Sequence, residues 1–316
     1  MKPSGSRRPA AAPSQPAGVH TLALILGLVL LVAFACLPAF SGKLLRWDDA
    51  AILTTNPLLN PPSLSALRTI WTQPVAGLYT PLPYTLWAAA AAVAVPADHP
   101  TAFHAINVVL HAGTTVAVYL LVWTLLAHRL AAFAGAAAFA VHPLQVEPVA
   151  WVSGMNNVLA GLLGVLALWL YVKHTQSTDV KRRVRLYGLA TLAFLGALLS
   201  KPTAVAIPLV ACCIDLLILH RDWRKVAPAV IPWFIVAGTA ALVARAVQPS
   251  MLVETTALRF RPLVAMDATA FYLSKVVWPA GLCIDYGRTP QWLASSPARF
   301  FTWIIPVIAA AVCLLL

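Results

Sequence analysis

Val158–Tyr171 reads VLAGLLGVLALWLY and Leu186–Leu199 reads LYGLATLAFLGALL, with Lys173, Lys181, Arg182, Arg183 and Arg185 between them. Two apolar runs around a basic loop describe a membrane hairpin whose turn stays in the cytoplasm, where Lys and Arg are retained. Outward from this hairpin the same grammar repeats. Lys2, Arg7 and Arg8 precede the run Thr21–Phe40, His128-Arg129 separates two further runs, and Arg221, Arg224 and Lys225 follow another. Of the 316 residues 60% are hydrophobic and 10% charged, against about 25% charged in soluble domains. The runs do not alternate as lipid-facing strands do. The expected fold is therefore all-α, a polytopic membrane protein with about 8–9 transmembrane helices and a large first outer loop.

The pattern predicts helices over 21–40, 102–127, 130–147, 151–172, 186–200, 203–220 and 226–247. Residues 1–20, rich in Pro, Ala and Ser, read as a disordered cytoplasmic tail. Thr21–Phe40 is too long for a signal-peptide core and lacks a good cleavage site, so it is expected to remain as an anchor. The first outer loop covers about 41–100, and its apolar stretch Tyr84–Val95 is too short to span, so it lies in the interface or re-enters. Segment 263–284 carries Asp267, Phe271 and Lys275 at i, i+4, i+8, giving it one polar face. It either spans or lies along the outer surface. The last run, 300–316, stops inside an apolar segment, as a shortened chain would.

A net charge of +12 raises the question of nucleic acid. The basic clusters flank apolar runs, so topology and anionic lipid headgroups account for them instead. Cys36, Cys212, Cys213, Cys283 and Cys313 have no metal-ligand spacing and read as small packing residues. His104, Asn107 and His111 share a face of the second helix. The two histidines are about 10 Å apart at 1.5 Å per residue, which favours interhelical hydrogen bonding over a metal. Asp215 lies inside an apolar run and calls for a partner.

This topology gathers Asp48, Asp49, His142, Glu147, Asn156, Asn157, Lys201, Arg259 and Arg261 at the outer boundary. Asp285 and Tyr286 join them if 263–284 does not cross. Acids and bases converging on one membrane face suggest a site for a polar group held by a lipid. Trp47 before Asp48-Asp49 and Ile52-Leu53 after them argue that the acid pair is tucked in. Two close carboxylates either raise the pKa of one or share a divalent cation. Either state suits a base that takes a proton from a hydroxyl. Glu147, between Pro143 and Pro148, either marks the membrane boundary or lines a pocket with His142 and Asn156. Lys201 is either a topological anchor or a contact to a lipid phosphate.

RWDDAAILTTNPLL (46–59), TPLPYTLW (80–87), FHAINVVLHA (103–112), AVHPLQVEPVAWVSG (140–154), SKPTA (200–204) and FYLSKVVWPAGLCIDYGRTP (271–290) follow in order. Together they resemble the membrane portion of the transmembrane and tetratricopeptide-repeat-containing protein O-mannosyltransferases, including bacterial relatives, of the GT-C superfamily. The Ala-rich helices suggest a bacterial inner membrane, and the basic loops place the N-terminus in the cytoplasm. The resemblance, over about 21–300, implies a GT-C-like membrane domain, taken as 21–316, with its active site on the outer, periplasmic face. It implies inverting transfer of a mannose-like sugar from a polyprenyl- or dolichyl-phosphate carrier to a hydroxyl of a protein or glycan. It makes Asp48 the base with Asp49 in support. Glu147, Lys201, Asp285 and Tyr286 match family positions at the substrate. Ser200-Lys201-Pro202 departs from the family's SKE, and Met155-Asn156 stands where an arginine is frequent. No nucleotide-sugar domain and no resident cofactor are implied. A lipid-linked saccharide transporter, which would need polar groups at mid-membrane, and a non-catalytic scaffold are the other classes compatible with the residues.

Overall fold

The computed structural model describes residues 17–45, 47–95, 99–247, 261–294 and 301–315. Its described residues form helices and loops, in the order α1 (Ala17–Ala35), α2 (Leu64–Thr72), α3 (Pro81–Ala91), α4 (Pro100–Leu126), α5 (Arg129–Ala140), α6 (Val146–Ala150), α7 (Met155–Gln176), α8 (Val180–Ser200), α9 (Ile207–Cys213), α10 (Trp223–Val247), α11 (Arg261–Val277), α12 (Pro290–Ala294) and α13 (Ile304–Leu315). Four of them, α4, α7 with its preceding turn, α8 and α10, are long and apolar enough to cross a membrane. The pair α5 and Pro143–Ala150, bent by 53°, makes a fifth if taken as one span. His20–Ala35 and Pro202–Ile218 are shorter apolar helices at the sites of the first and sixth expected spans.

Most of the tail, 1–16, lies outside the described residues, and the first helix opens at Ala17, earlier than expected. It closes at Ala35 rather than Phe40, and Leu37–Ser41 continues as a tighter 3-10 turn. Pro38, which has no N–H to donate, accounts for the change. α8 starts at Val180, inside the basic loop, because Asp179 caps it by accepting the Lys181 N–H at 2.8 Å.

α7 is the centre of the bundle, packed between α4 and α8. Small residues allow the closeness; a Cβ on Gly196 of α8 would sit 3.0 Å from Leu163 Cδ1 of α7. At one end, Tyr171, Phe194 and Trp233 pack in the largest core cluster. Asp215, the buried acid of the sixth run, finds its partners there: Oδ2 accepts the Tyr171 hydroxyl at 2.6 Å and pairs with Arg221 Nη1 at 2.7 Å.

At the other end α2 packs on α3, and α3 lies against α4, α7 and α8. α3 is not an isolated surface helix, since Tyr84 and Trp87 are buried beside Leu53, Phe103 and Met155. The expected 263–284 helix stops at Val277, where Trp278-Pro279 breaks it. Asp267 on its polar face accepts two hydrogen bonds at 2.7 Å from Arg288 Nη2, so 278–289 folds back along α11.

Candidate functional site

Asp49 organises the site. Its side chain is fully buried. Oδ2 accepts the Leu45 N–H at 2.8 Å, and Oδ1 accepts the Ser153 N–H at 2.9 Å across 104 residues of sequence. Charge-assisted bonds of this kind are roughly twice as strong as neutral ones. One carboxylate therefore ties the segment after α1 to the turn before α7.

That turn is irregular backbone, and each departure from helix has a cause. Pro143 and Pro148 interrupt the ladder, and 3-10 turns over Pro143–Gln145 and Val152–Gly154 flank α6. A Cβ at Gly154 would lie 2.6 Å from the Pro148 carbonyl oxygen, so only glycine lets the chain return so tightly. Such backbone is tolerated in a membrane bundle where neighbours satisfy its polar groups. α4 does this: Asn107 Nδ2 donates to Trp151 O at 2.8 Å and to Val149 O at 3.3 Å, and His111 Nε2 reaches Ala140 O at 3.0 Å. The interhelical bonding expected of this face is seen at Asn107 and His111 but not at His104.

Asp48, beside Asp49 in sequence, is exposed and makes no ion pair among the described residues. The acid pair is thus only half tucked in, since Trp47 is also exposed. The two acids have different environments, one fixed by backbone N–H groups and one open to an incoming group. Tyr84, 4% exposed, lies within the field of Asp48. Burial first, and then that charge, push its phenol up to about 12.

On the other side of the turn, Lys201 caps α8 and donates from Nζ to Asn157 Oδ1. Burial lowers its pKa, and the Glu147 carboxylate works against that. A half-buried cation with a neutral partner is suited to receive an anion. Glu147 is exposed and lines a cavity of about 620 Å³ with Lys43, His104, Trp151 and Tyr286. His104 is 2% exposed and reaches the cavity beside Gly42, where a Cβ would stand 3.1 Å from its Nε2. Neither His104 nitrogen makes a hydrogen bond of good geometry among the described residues, although the Gly42 and Ala150 backbones lie near. Trp87 Nε1, Trp151 Nε1, Ser153 Oγ and Asn156 Oδ1 are also buried without a hydrogen-bond partner among the described residues.

The remaining expected residues separate. His142 accepts the Leu144 N–H on Nδ1, so Nε2 carries the proton and donates to Val276 O at 3.0 Å. Both nitrogens are engaged, and the residue staples α11 to the bend. Asn156 is brought to the layer, beside Asn157. Tyr286 reaches the cavity, whereas Asp285 turns back to accept the Gly287 N–H at 2.8 Å. Arg261 opens α11 at the surface, and Arg259 lies outside the described residues. Among the described residues no three His, Cys, Asp or Glu side chains are grouped as a metal site. Reading from sequence missed Ser153, Gly154, Tyr84 and His104 as parts of this layer. The one available signal was Gly154 beside two helix-breaking prolines.

The chain is similar to protein O-mannosyl-transferases. One from Caenorhabditis elegans is 26% identical over 91% of this chain and 43% of the relative. TMTC1 of Homo sapiens is 36% identical over 40% of this chain and 15% of that protein. Tmtc1 of Drosophila melanogaster is 33% identical over 37% and 13%. The chain thus spans less than half the length of these relatives. No family model and no solved structure matches it.

Proposed function

We propose that this chain is the membrane portion of a GT-C-type glycosyltransferase. It moves a mannose-like sugar from a polyprenyl- or dolichyl-phosphate carrier to a protein Ser or Thr hydroxyl, with inversion, at the outer face of a bacterial inner membrane. The observation that carries this reading is the split environment of the acid pair, Asp49 pinned to Ser153 and Asp48 left open beside it.

In this mechanism Asp48 takes the proton of the acceptor hydroxyl. The oxygen attacks the anomeric carbon from the face opposite the phosphate, and the bond to the phosphate oxygen breaks with its electron pair. Lys201 offsets the charge growing on the departing lipid phosphate. Asp49 positions Asp48 by fixing the loop, and Glu147 and Tyr286 contact the sugar or acceptor from the cavity. The similarity to proteins named O-mannosyl-transferases supports the reaction class.

The test uses purified protein in lipid, radiolabelled polyprenyl-phosphate sugars and a Ser/Thr peptide, with transfer and slow hydrolysis both scored. Asp48→Asn is expected to lose transfer while still binding the carrier. A wild-type protein that neither binds carrier nor releases sugar, with the rest of a longer relative joined to it, would favour a scaffold instead.

A further inference from the structure

α11 has 17 residues, about 25 Å at 1.5 Å per residue, short of the roughly 30 Å that a crossing helix must cover. Its last turn is fixed at an end of the bundle. There His142, just past the end of α5, donates from Nε2 to Val276 O at 3.0 Å. From that end 278–289 runs back beside the helix without regular structure. Arg288 reaches Asp267, about 14 Å along α11 from Val276. A crossing α11 would draw this segment into the hydrocarbon together with Asp267, Asp285 and Arg288. Gly281, Leu282, Asp285 and Gly287 are exposed, and irregular backbone exposed to lipid tails has no water to satisfy its polar groups.

The side of α11 opposite Asp267 is largely apolar and uncovered. At 3.6 residues per turn, Ala265, Thr269, Tyr272 and Val276 fall on it, and all four are exposed. Thr269 Oγ1 is tied to Ala265 O at 2.8 Å. Val277 and Trp278 follow at the helix end, and Trp278 is 75% exposed. Lys275 puts no charge on this side, because its Nζ turns to the rings of Phe271 and Tyr286, 5.4 and 5.5 Å from their centroids. An amphipathic helix with aromatic residues on its apolar side suits the boundary between lipid headgroups and tails. We propose that α11 lies in that boundary beside the cavity and does not cross the bilayer, with Tyr272, Val276 and Trp278 seated in lipid. The lipid that holds α11 also holds 278–289, and with it Tyr286, at the cavity wall. Sugar transfer plays no part in this placement, which stands or falls apart from the reaction proposed above.

The test reads depth. The five native cysteines are replaced by Ala, and one cysteine is introduced as Ala265→Cys, Thr269→Cys, Tyr272→Cys or Val276→Cys. Each protein is labelled with bimane and reconstituted in nanodiscs that carry nitroxide lipids. All four labels are expected to be quenched by a nitroxide at the headgroup or upper chain, and quenching is expected to be lost when the nitroxide sits near the bilayer centre. Adding Trp278→Ala is expected to release the Val276→Cys label toward water, with loss of its quenching. Deep quenching at 269 and 272 between shallow ends is the mark of a crossing helix and overturns the proposal. No quenching at any position, the result if another protein chain or a second copy covers this side, overturns it too. Should the cysteine-free protein not fold, a fluorescent amino acid introduced at the same positions gives the same readout.

Discussion

The two ends of α7 solve the same problem in opposite ways. Near Tyr171, the acid Asp215 meets a cation and a hydroxyl on one oxygen, with Trp233 and Phe194 packed around them. Near Asn157, about 21 Å along the helix at 1.5 Å per residue, Asp48 and Glu147 have no such ion pair among the described residues, and Lys201 donates to an amide. At the first end the chain's own side chains satisfy Asp215 Oδ2, while Oδ1 is buried without a hydrogen-bond partner among the described residues. The second keeps polar groups available, which costs stability unless something outside the chain meets them. Function is to be sought where the protein leaves such groups open, which is where the proposed transfer puts its two substrates.

The sharpest way to break this comparison is Asp48→Asn, expected to lower transfer by about 10²–10⁴-fold without moving the thermal transition. A matching loss of folded protein would make Asp48 a structural residue like Asp215. The mirror experiment is Asp215→Asn. Removing one partner of a buried pair costs about 3–5 kcal/mol, so the melting temperature should fall while transfer per folded molecule stays unchanged at low temperature. Gly154→Ala probes the joint between the regions. Its Cβ would meet the Pro148 carbonyl oxygen at 2.6 Å, and overpacking of this kind costs about 1–3 kcal/mol. Here carrier binding and stability should fall together. The smallest effect is a pH shift. Burial lowers the Lys201 pKa, so the charged form is lost earlier as pH rises. Carrier binding should weaken on the alkaline side, and Lys201→Arg, which stays charged, should move that limb to higher pH. An unmoved limb would remove Lys201 from the phosphate contact.

Much of this was legible in the chain itself. Apolar runs separated by basic loops located α4, α7, α8 and α10, because membrane insertion is read from local composition and length. Polar residues around the acid pair, among them Glu147, Asn157 and Lys201, could also be singled out from the chain. What could not be read was how that set divides. Asp48 and Asp49 are identical in type and adjacent, yet one is buried and the other exposed, because the Ser153 N–H is supplied by a turn 104 residues away. The engagement of both His142 nitrogens could not be read either, because its carbonyl partner, Val276, is 134 residues distant. The Tyr171 hydroxyl that meets Asp215 is of the same kind, 44 residues distant.

Sequence alone determined the helical class and the long apolar helices, since hydropathy and charge act locally. Only the tertiary structure decided which polar groups are spent on holding the fold and which remain open. That choice depends on hydrogen bonds between segments far apart in the chain, and no local pattern encodes them.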